Sequence, residues 1–231
     1  RLMTFSGTSD QTISTSGSIG SFTACDGAAG TSDNFSVSGT NLTANIAVTA
    51  PTGYEVSTDN SSFSSSVTLT QSGGTVNSTT VYVRLTSSAS NGASGNVACT
   101  STGASTENIA TGSGTVYSAF SSGTISSSGE TICNGGSFSA ISSSSAASGG
   151  DGSISYTWHK DGGSAIGGET SATYAPTTAG TYTRKAADGT CSTGGTTSSG
   201  SWVVASVSAP VAGTISGTAY TYRTGTTSLS I

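Results

Sequence analysis

Four cysteines, Cys25, Cys99, Cys133 and Cys191, carry the best-specified chemistry in this 231-residue chain. None of their spacings forms a Cys-x-x-Cys pair, so tetrahedral zinc is not the expected use. Disulfide formation in an oxidising compartment is. Four cysteines allow three pairings. Only Cys25–Cys99 with Cys133–Cys191 keeps each bridge inside one of two consecutive units divided near residue 118, and this is the expected pairing; four unbridged buried thiols are the alternative. Loops of that size would stabilise each unit by about 4 kcal/mol in the chain-entropy model.

Other reactive residues are sparse. His159 is the single histidine, so it is the one candidate base for a Ser-His-Asp arrangement. It follows Trp158 and precedes Lys160-Asp161-Gly162-Gly163, a context that reads as a strand end before a turn. Glu55, Asp59, Glu130, Asp151, Asp161, Glu169 and Asp188 could in principle supply paired carboxylates for glycoside hydrolysis, yet no spacing among them brings two together. No D-x-D-x-D-G run offers calcium its oxygen ligands. Asp151-Gly152-Ser153 and Asp161-Gly162-Gly163 read as turns, and so do the neighbourhoods of Lys160 and Lys185, which argues against covalent Lys-Asn cross-links. No catalytic, cofactor or metal site is expected, and the chain is read as a non-enzyme. Sequons at Asn34, Asn41, Asn60 and Asn77 occur at about the frequency that so much Ser and Thr produces by chance. O-linked sugars on the hydroxyls are the more plausible modification. Trp158, Tyr156, Tyr182 and Trp202 lie in strand-like runs and are assigned to the core rather than to sugar stacking.

The elements that must position these residues announce themselves by repetition. Ser122-Gly123-Thr124-Ile125-Ser126 recurs as Ala212-Gly213-Thr214-Ile215-Ser216 after Pro210, and a period of this length reads as tandem sandwich modules. Charged residues are 7%, against roughly a quarter in ordinary domains, and Ser plus Thr make up roughly two-fifths. Disorder would need high charge or abundant proline, but there are three prolines and a net charge of -5. Period-two alternation predicts strands at 35–39, 42–50, 67–70 and 80–85, then at 154–158, 172–176, 180–184 and 201–204. Pro51-Thr52-Gly53, Thr58-Asp59-Asn60 and Ser72-Gly73-Gly74 supply turns. A seven- or eight-stranded first sandwich follows, and no helix beyond a turn or two. Scattered basic residues argue against nucleic acid and anionic membrane surfaces, and no apolar run is long enough to span a bilayer. Arg1-Leu2-Met3-Thr4-Phe5 does not read as a signal peptide.

The order Cys133, Trp158, Cys191 is that of immunoglobulin domains, although Tyr182 stands further upstream of the second cysteine than that family's tyrosine. The run from Val37 to Ile46, with Ala50-Pro51-Thr52-Gly53-Tyr54-Glu55-Val56-Ser57 and Thr80-Val81-Tyr82-Val83-Arg84-Leu85, resembles repeats of very large surface proteins of gliding bacteria that use type IX secretion. Ser155-Tyr156-Thr157-Trp158, Ala172-Thr173-Tyr174-Ala175-Pro176, Gly180-Thr181-Tyr182 and Asp188-Gly189-Thr190-Cys191 are similar to the PKD-like or immunoglobulin-like repeats of the same proteins, including SprB-type gliding adhesins. The resemblance implies a stalk or filament segment of an extracellular, cell-surface adhesin. Its partners would be other modules of the same chain, surface polysaccharide or other surface proteins. The expected architecture is all-β, tandem immunoglobulin-like sandwiches end to end: 1–7 a linker or the end of a preceding module, 8–117 module 1, 118–208 module 2, 209–231 the start of a truncated module 3. A carbohydrate-binding module and a strand-exchanged extracellular filament, with 209–231 donated to a neighbour, are the competing readings.

Overall fold

The computed structural model describes residues 10–208, 210–214 and 216–217. The expected linker at 1–7, and Ile215, Tyr220 and Tyr222 of the third unit, lie outside the described residues. The chain is all-β, two immunoglobulin-like sandwiches in tandem, and no described residue is helical.

The first sandwich uses β1 (Thr12–Ser16), β2 (Thr23–Cys25), β3 (Asp33–Thr40), β4 (Ile46–Thr49), β5 (Tyr54–Ser57), β6 (Ser66–Leu69), β7 (Val76–Leu85), β8 (Gly95–Thr100) and β9 (Glu107–Thr111). Alternation makes the sheets two-faced. In β3, Phe35, Val37 and Gly39 point inward, and in β7, Val81, Val83 and Leu85 do so. One sheet runs β1-β3-β7-β5 and the other β6-β4-β8-β9, all antiparallel. Ile46, Val48, Val56, Val97 and Cys99 complete a core with no solvent exposure. The two sheets hold eight strands, within the expected seven or eight, and β2 lies outside them, paired with β10. The edge strands β1 and β9 have little apolar sequence to reveal them. The strand expected at 42–50 begins only at Ile46. Asn41 adopts φ 56°, the Thr43 amide donates to the Gln11 side chain, and the Asn45 side chain accepts from the Gln71 amide. Side chains thus take over hydrogen bonds that a ladder would have supplied.

After β10 (Thr115–Ser121), the second sandwich uses β11 (Thr124–Ile125), β12 (Glu130–Cys133), β13 (Ser143–Ser145), β14 (Ser148–Gly150), β15 (Ser155–Lys160), β16 (Gly180–Ala187), β17 (Thr196–Thr197) and β18 (Trp202–Val207). Its main sheet runs β12-β18-β16-β15, with β17 also on β16. Ile125, Ile141, Trp158, Tyr174, Tyr182 and Val204 form its core. Trp158 stacks on Tyr174, centroids 5.5 Å apart, and its Nε1 donates to Ser171 O. Residues 172–176 are not a strand; only Tyr174 bridges, to Ile141. Burial of Trp158 and Tyr182 is complete, while Tyr156 and Trp202 are half-buried.

No linker separates the sandwiches. The division at 117/118 falls within β10, which pairs in parallel with β2 through Thr115, Val116 and Tyr117 and antiparallel with β14 through Ser118 and Ser121. Immediately beyond it Gly123 takes φ 68°, and a Cβ there would lie 2.5 Å from Ser145 O and 2.7 Å from Ala147 N. The Gly-Thr-Ile-Ser that follows β10 therefore needs Gly123 both for a left-handed backbone and for close approach to β13. Gly123→Ala is expected to lower stability by at least about 2 kcal/mol, the left-handed penalty plus backbone displacement, as read from urea unfolding followed by tryptophan fluorescence.

Candidate functional site

The junction holds the chain's one disulfide, and it crosses the modules. Cys25 ends β2, opposite Tyr117 of β10. Cys191 sits in the loop after β16. The two are bonded with Cα atoms 5.7 Å apart across a sequence separation of 166. The pairing expected from the sequence, Cys25–Cys99 with Cys133–Cys191, is not the one present: Cys99 is a buried free thiol and Cys133 an exposed one. The physical reason is β10. An unbroken strand shared by both sandwiches brings the end of β2 against the loop at 188–192, whereas Cys99 points into the first core beside Val48 and Cys133 ends β12 on the module's outer surface. Closing a loop of this length stabilises the pair of modules by about 5 kcal/mol in the chain-entropy model.

Two carboxylates shape the loop that carries Cys191. Asp188, buried, accepts from the amides of Asp151 (2.9 Å), Cys191 (3.0 Å) and Ser192. Asp151 accepts from the Ser153 amide (2.8 Å), the Thr190 hydroxyl (2.8 Å) and the Gly189 amide (3.3 Å). Each carboxylate thus braces the other's loop. Donated hydrogen bonds hold Asp151 below the usual carboxylate range, the Ser153 amide first and the Thr190 hydroxyl next. Burial alone would raise Asp188, but the backbone amides directed at it outweigh that and the net shift is downward.

Arg184 braces the same region from inside the second sandwich. Its side chain is fully buried, and among the described residues it has no carboxylate partner. Nε donates to Ser198 Oγ (3.1 Å), Nη1 to Ala172 O (2.8 Å) and Ser143 Oγ, and Nη2 to Ser122 O (3.4 Å). The Tyr156 ring lies 4.6 Å from Cζ. Ser198 Oγ also donates to Ser122 O, and Ser122 Oγ to Thr197 O. One cation therefore ties the exit of β10 to three other segments, and its charge-assisted bonds offset the cost of taking the guanidinium out of water. Burial lowers its pKa, opposed by Tyr156, yet guanidinium stays charged.

Among the carboxylates considered from the sequence, the structure brings Asp151 and Asp188 together, as amide acceptors rather than as an acid and base. Glu55 pairs with Arg84 at 2.7 Å, Asp59 caps the Ser61 and Ser62 amides, Glu130 accepts from the Ser139 amide and Asp161 from the Thr181 amide. His159 is at the strand end, Nδ1 2.9 Å from Gly163 O and Nε2 3.4 Å from Thr157 Oγ1. Lys160 Nζ donates to Thr178. Sequence reasoning missed the roles of Arg184 and the Asp151–Asp188 brace. A signal existed in the Asp188-Gly189 turn three residues before a cysteine, but the partner at Asp151 is visible only in three dimensions.

No protein-family model and no curated protein matches the chain. Solved structures are similar to it at low identity. The two-domain DIP-gamma IG1+IG2 shares 13% identity over 84% of this chain and 97% of its own, TM-score 0.35. The N-terminal four Ig domains of Dscam1 isoform 9.44 share 16% over 87% of this chain, TM-score 0.36, and the chain spans 46% of that protein. Extracellular domains 3-5 of Drosophila OTK share 13% over 83% of this chain and 64% of theirs, TM-score 0.28.

The two depressed carboxylates stabilise the fold fully above their unfolded pKa of about 4 and lose that contribution as pH falls through their lower folded values. The thermal midpoint is therefore expected to hold from pH 7 to 5 and drop below pH 4, and Asp188→Asn is expected to flatten that drop and to speed reduction of Cys25–Cys191 by dithiothreitol at pH 7. Burial, followed by Glu107, pushes the Cys99 thiol up to about 11. In alkylation at pH 8 the folded 231-residue chain is expected to label at Cys133 while Cys99 labels only in denaturant.

Proposed function

We propose that this chain is a structural stalk segment of an extracellular bacterial surface adhesin, and that its two sandwiches act mechanically as one unit. The observation that carries the reading is the inter-module bond Cys25–Cys191 laid beside an unbroken shared strand. A junction tied by both a ladder and a covalent bond cannot hinge, so the modules set reach and stiffness rather than sample angles. A disulfide of this kind belongs to an oxidising, extracytoplasmic setting, and the hydroxyl-rich, weakly charged surface suits a long exposed filament. The residues similar to the repeats of gliding, type IX-secreting bacteria support the finer assignment to an SprB-type adhesin, displayed on the cell surface, with residues 209–231 opening a third module. Its partners would be neighbouring modules and, elsewhere in the parent protein, surface ligands.

A carbohydrate-binding role is less well supported. Trp158 and Tyr182, which could have offered ring faces, are buried, and the depression beside β15 and β16, of about 190 Å³, is lined largely by Ser, Thr, Gly and Ala, with Tyr156 and Lys185.

Under tension between the ends of the chain, the load passes from residue 25 through sulfur to residue 191, and the 166-residue separation stays hidden. Single-molecule pulling under oxidising conditions is expected to release only the residues outside that loop, and reduction to add roughly 55–60 nm of contour length. Equal extension with and without reductant would defeat the stalk reading.

A further inference from the structure

Cys133 occupies in the second module the position that Cys25 occupies in the first. Each ends a strand that pairs in parallel with its module's last strand, Cys25 opposite Tyr117 and Cys133 opposite Val207. The next residue donates its amide to that partner in both cases, Asp26 to Tyr117 O and Asn134 to Val207 O, each at 2.8 Å. The same turn follows: Ala28 N to Cys25 O at 2.8 Å and Gly136 N to Cys133 O at 2.9 Å, around Gly27 at φ 81° and Gly135 at φ 88°. Beyond the paired strand, Gly123 lies six residues after Tyr117, and Gly213 six residues after Val207, each opening Gly-Thr-Ile-Ser. The two cysteines differ in their bonding: the first is bonded to the following module and the second is exposed.

The surface around the second position is also unfinished. The large hydrophobic residues exposed among the described residues are Val203, Val207 and Val211, at 51%, 48% and 94%. All three lie on or just after β18. Val211 corresponds to Ser121, which in the first junction pairs with Ser148 of the next module.

We propose that Cys133 is the forward half of a second inter-module disulfide, its partner a cysteine in the loop of the following module that corresponds to residues 188–192. The inference rests on the stalk reading, since it needs a third module of the same kind. That partner would stand about ninety residues beyond Cys191, the spacing between Gly123 and Gly213. The bond forms as two thiols lose two protons and two electrons to a disulfide-bearing oxidant, which leaves as two thiols; Cys25–Cys191 requires the same class of oxidant. Because Cys133 lies between Cys25 and Cys191, successive covalent loops would overlap, and each module beyond the first would be held at both ends.

The test is non-reducing peptide mapping of the full-length parent protein, its free thiols alkylated before denaturation. The expected result is a Cys133 peptide linked to a peptide from the next module's corresponding loop, alongside Cys25–Cys191. Alkylated Cys133, Cys133 capped by a small thiol, or Cys133 bridged to a second copy of the chain would each overturn the inference. If Cys25–Cys191 is present in the same map, those outcomes leave the stalk reading standing; its absence would remove the basis of both.

Discussion

Strand β10 belongs to both sandwiches, and the remaining junction features follow from that sharing. Its first half adds to β2 and its second half pairs with β14 at Ser118 and Ser121, so sheet pairing anchors the connection on both sides. A connection made this way has a fixed direction, unlike a Gly- or Ser-rich linker of the same composition. It brings the end of β2 within bonding range of the loop at 188–192, and the Cys25–Cys191 bond then makes separation of the modules impossible without unfolding or reduction. Gly123 is needed because the chain turns sharply out of β10 against β13, and Arg184 and Ser198 both donate to the Ser122 carbonyl of the turned segment.

With so few charges, those of Asp151, Asp188 and Arg184 each hold junction segments in place. The comparison of Arg84 and Arg184 shows how the setting decides a charge's task. Both stand in a Tyr-x-Arg run of a long central strand. In β7 the intervening residues are Val81, Val83 and Leu85, so Tyr82 and Arg84 face outward, where Arg84 pairs with Glu55 and covers the Phe63 ring at 3.7 Å. In β16 the intervening residues are Thr181, Thr183 and Lys185, and the strand presents its other face, burying Tyr182, Arg184 and Ala186. A period of two leaves no third choice. A cation in the core is tolerated because hydroxyls and carbonyls from four segments surround it, which makes it a device for fixing loop positions rather than a source of net stability.

The first core combines valine, isoleucine and leucine with Phe22, Phe35 and Tyr54, and the smaller second core sets one tryptophan and two tyrosines among Ile125, Ile141 and Val204. In the proposed stalk the Cys25–Cys191 bond would carry load past both cores, which would then set shape.

The sequence by itself determined the class of the fold and most central strands, because a period of two in β-branched residues and a spaced turn chemistry are local properties: β3, β7, β15 and β16 are legible in this way. It also marked Trp158 and Tyr182 as core. The strand edges were less legible, since β1, β2, β9 and β12 carry few apolar residues and form because neighbours offer unpaired edges. Which cysteines bond was decided only by the tertiary structure. Local pattern confines a bridge to one module by default; the partner of Cys25 lies 166 residues away and is brought close by a strand that ignores the module boundary. The Asp151–Asp188 brace and the four acceptors of Arg184 belong to the same category, being contacts between segments far apart in sequence whose proximity depends on how two sheets and their loops are placed in space.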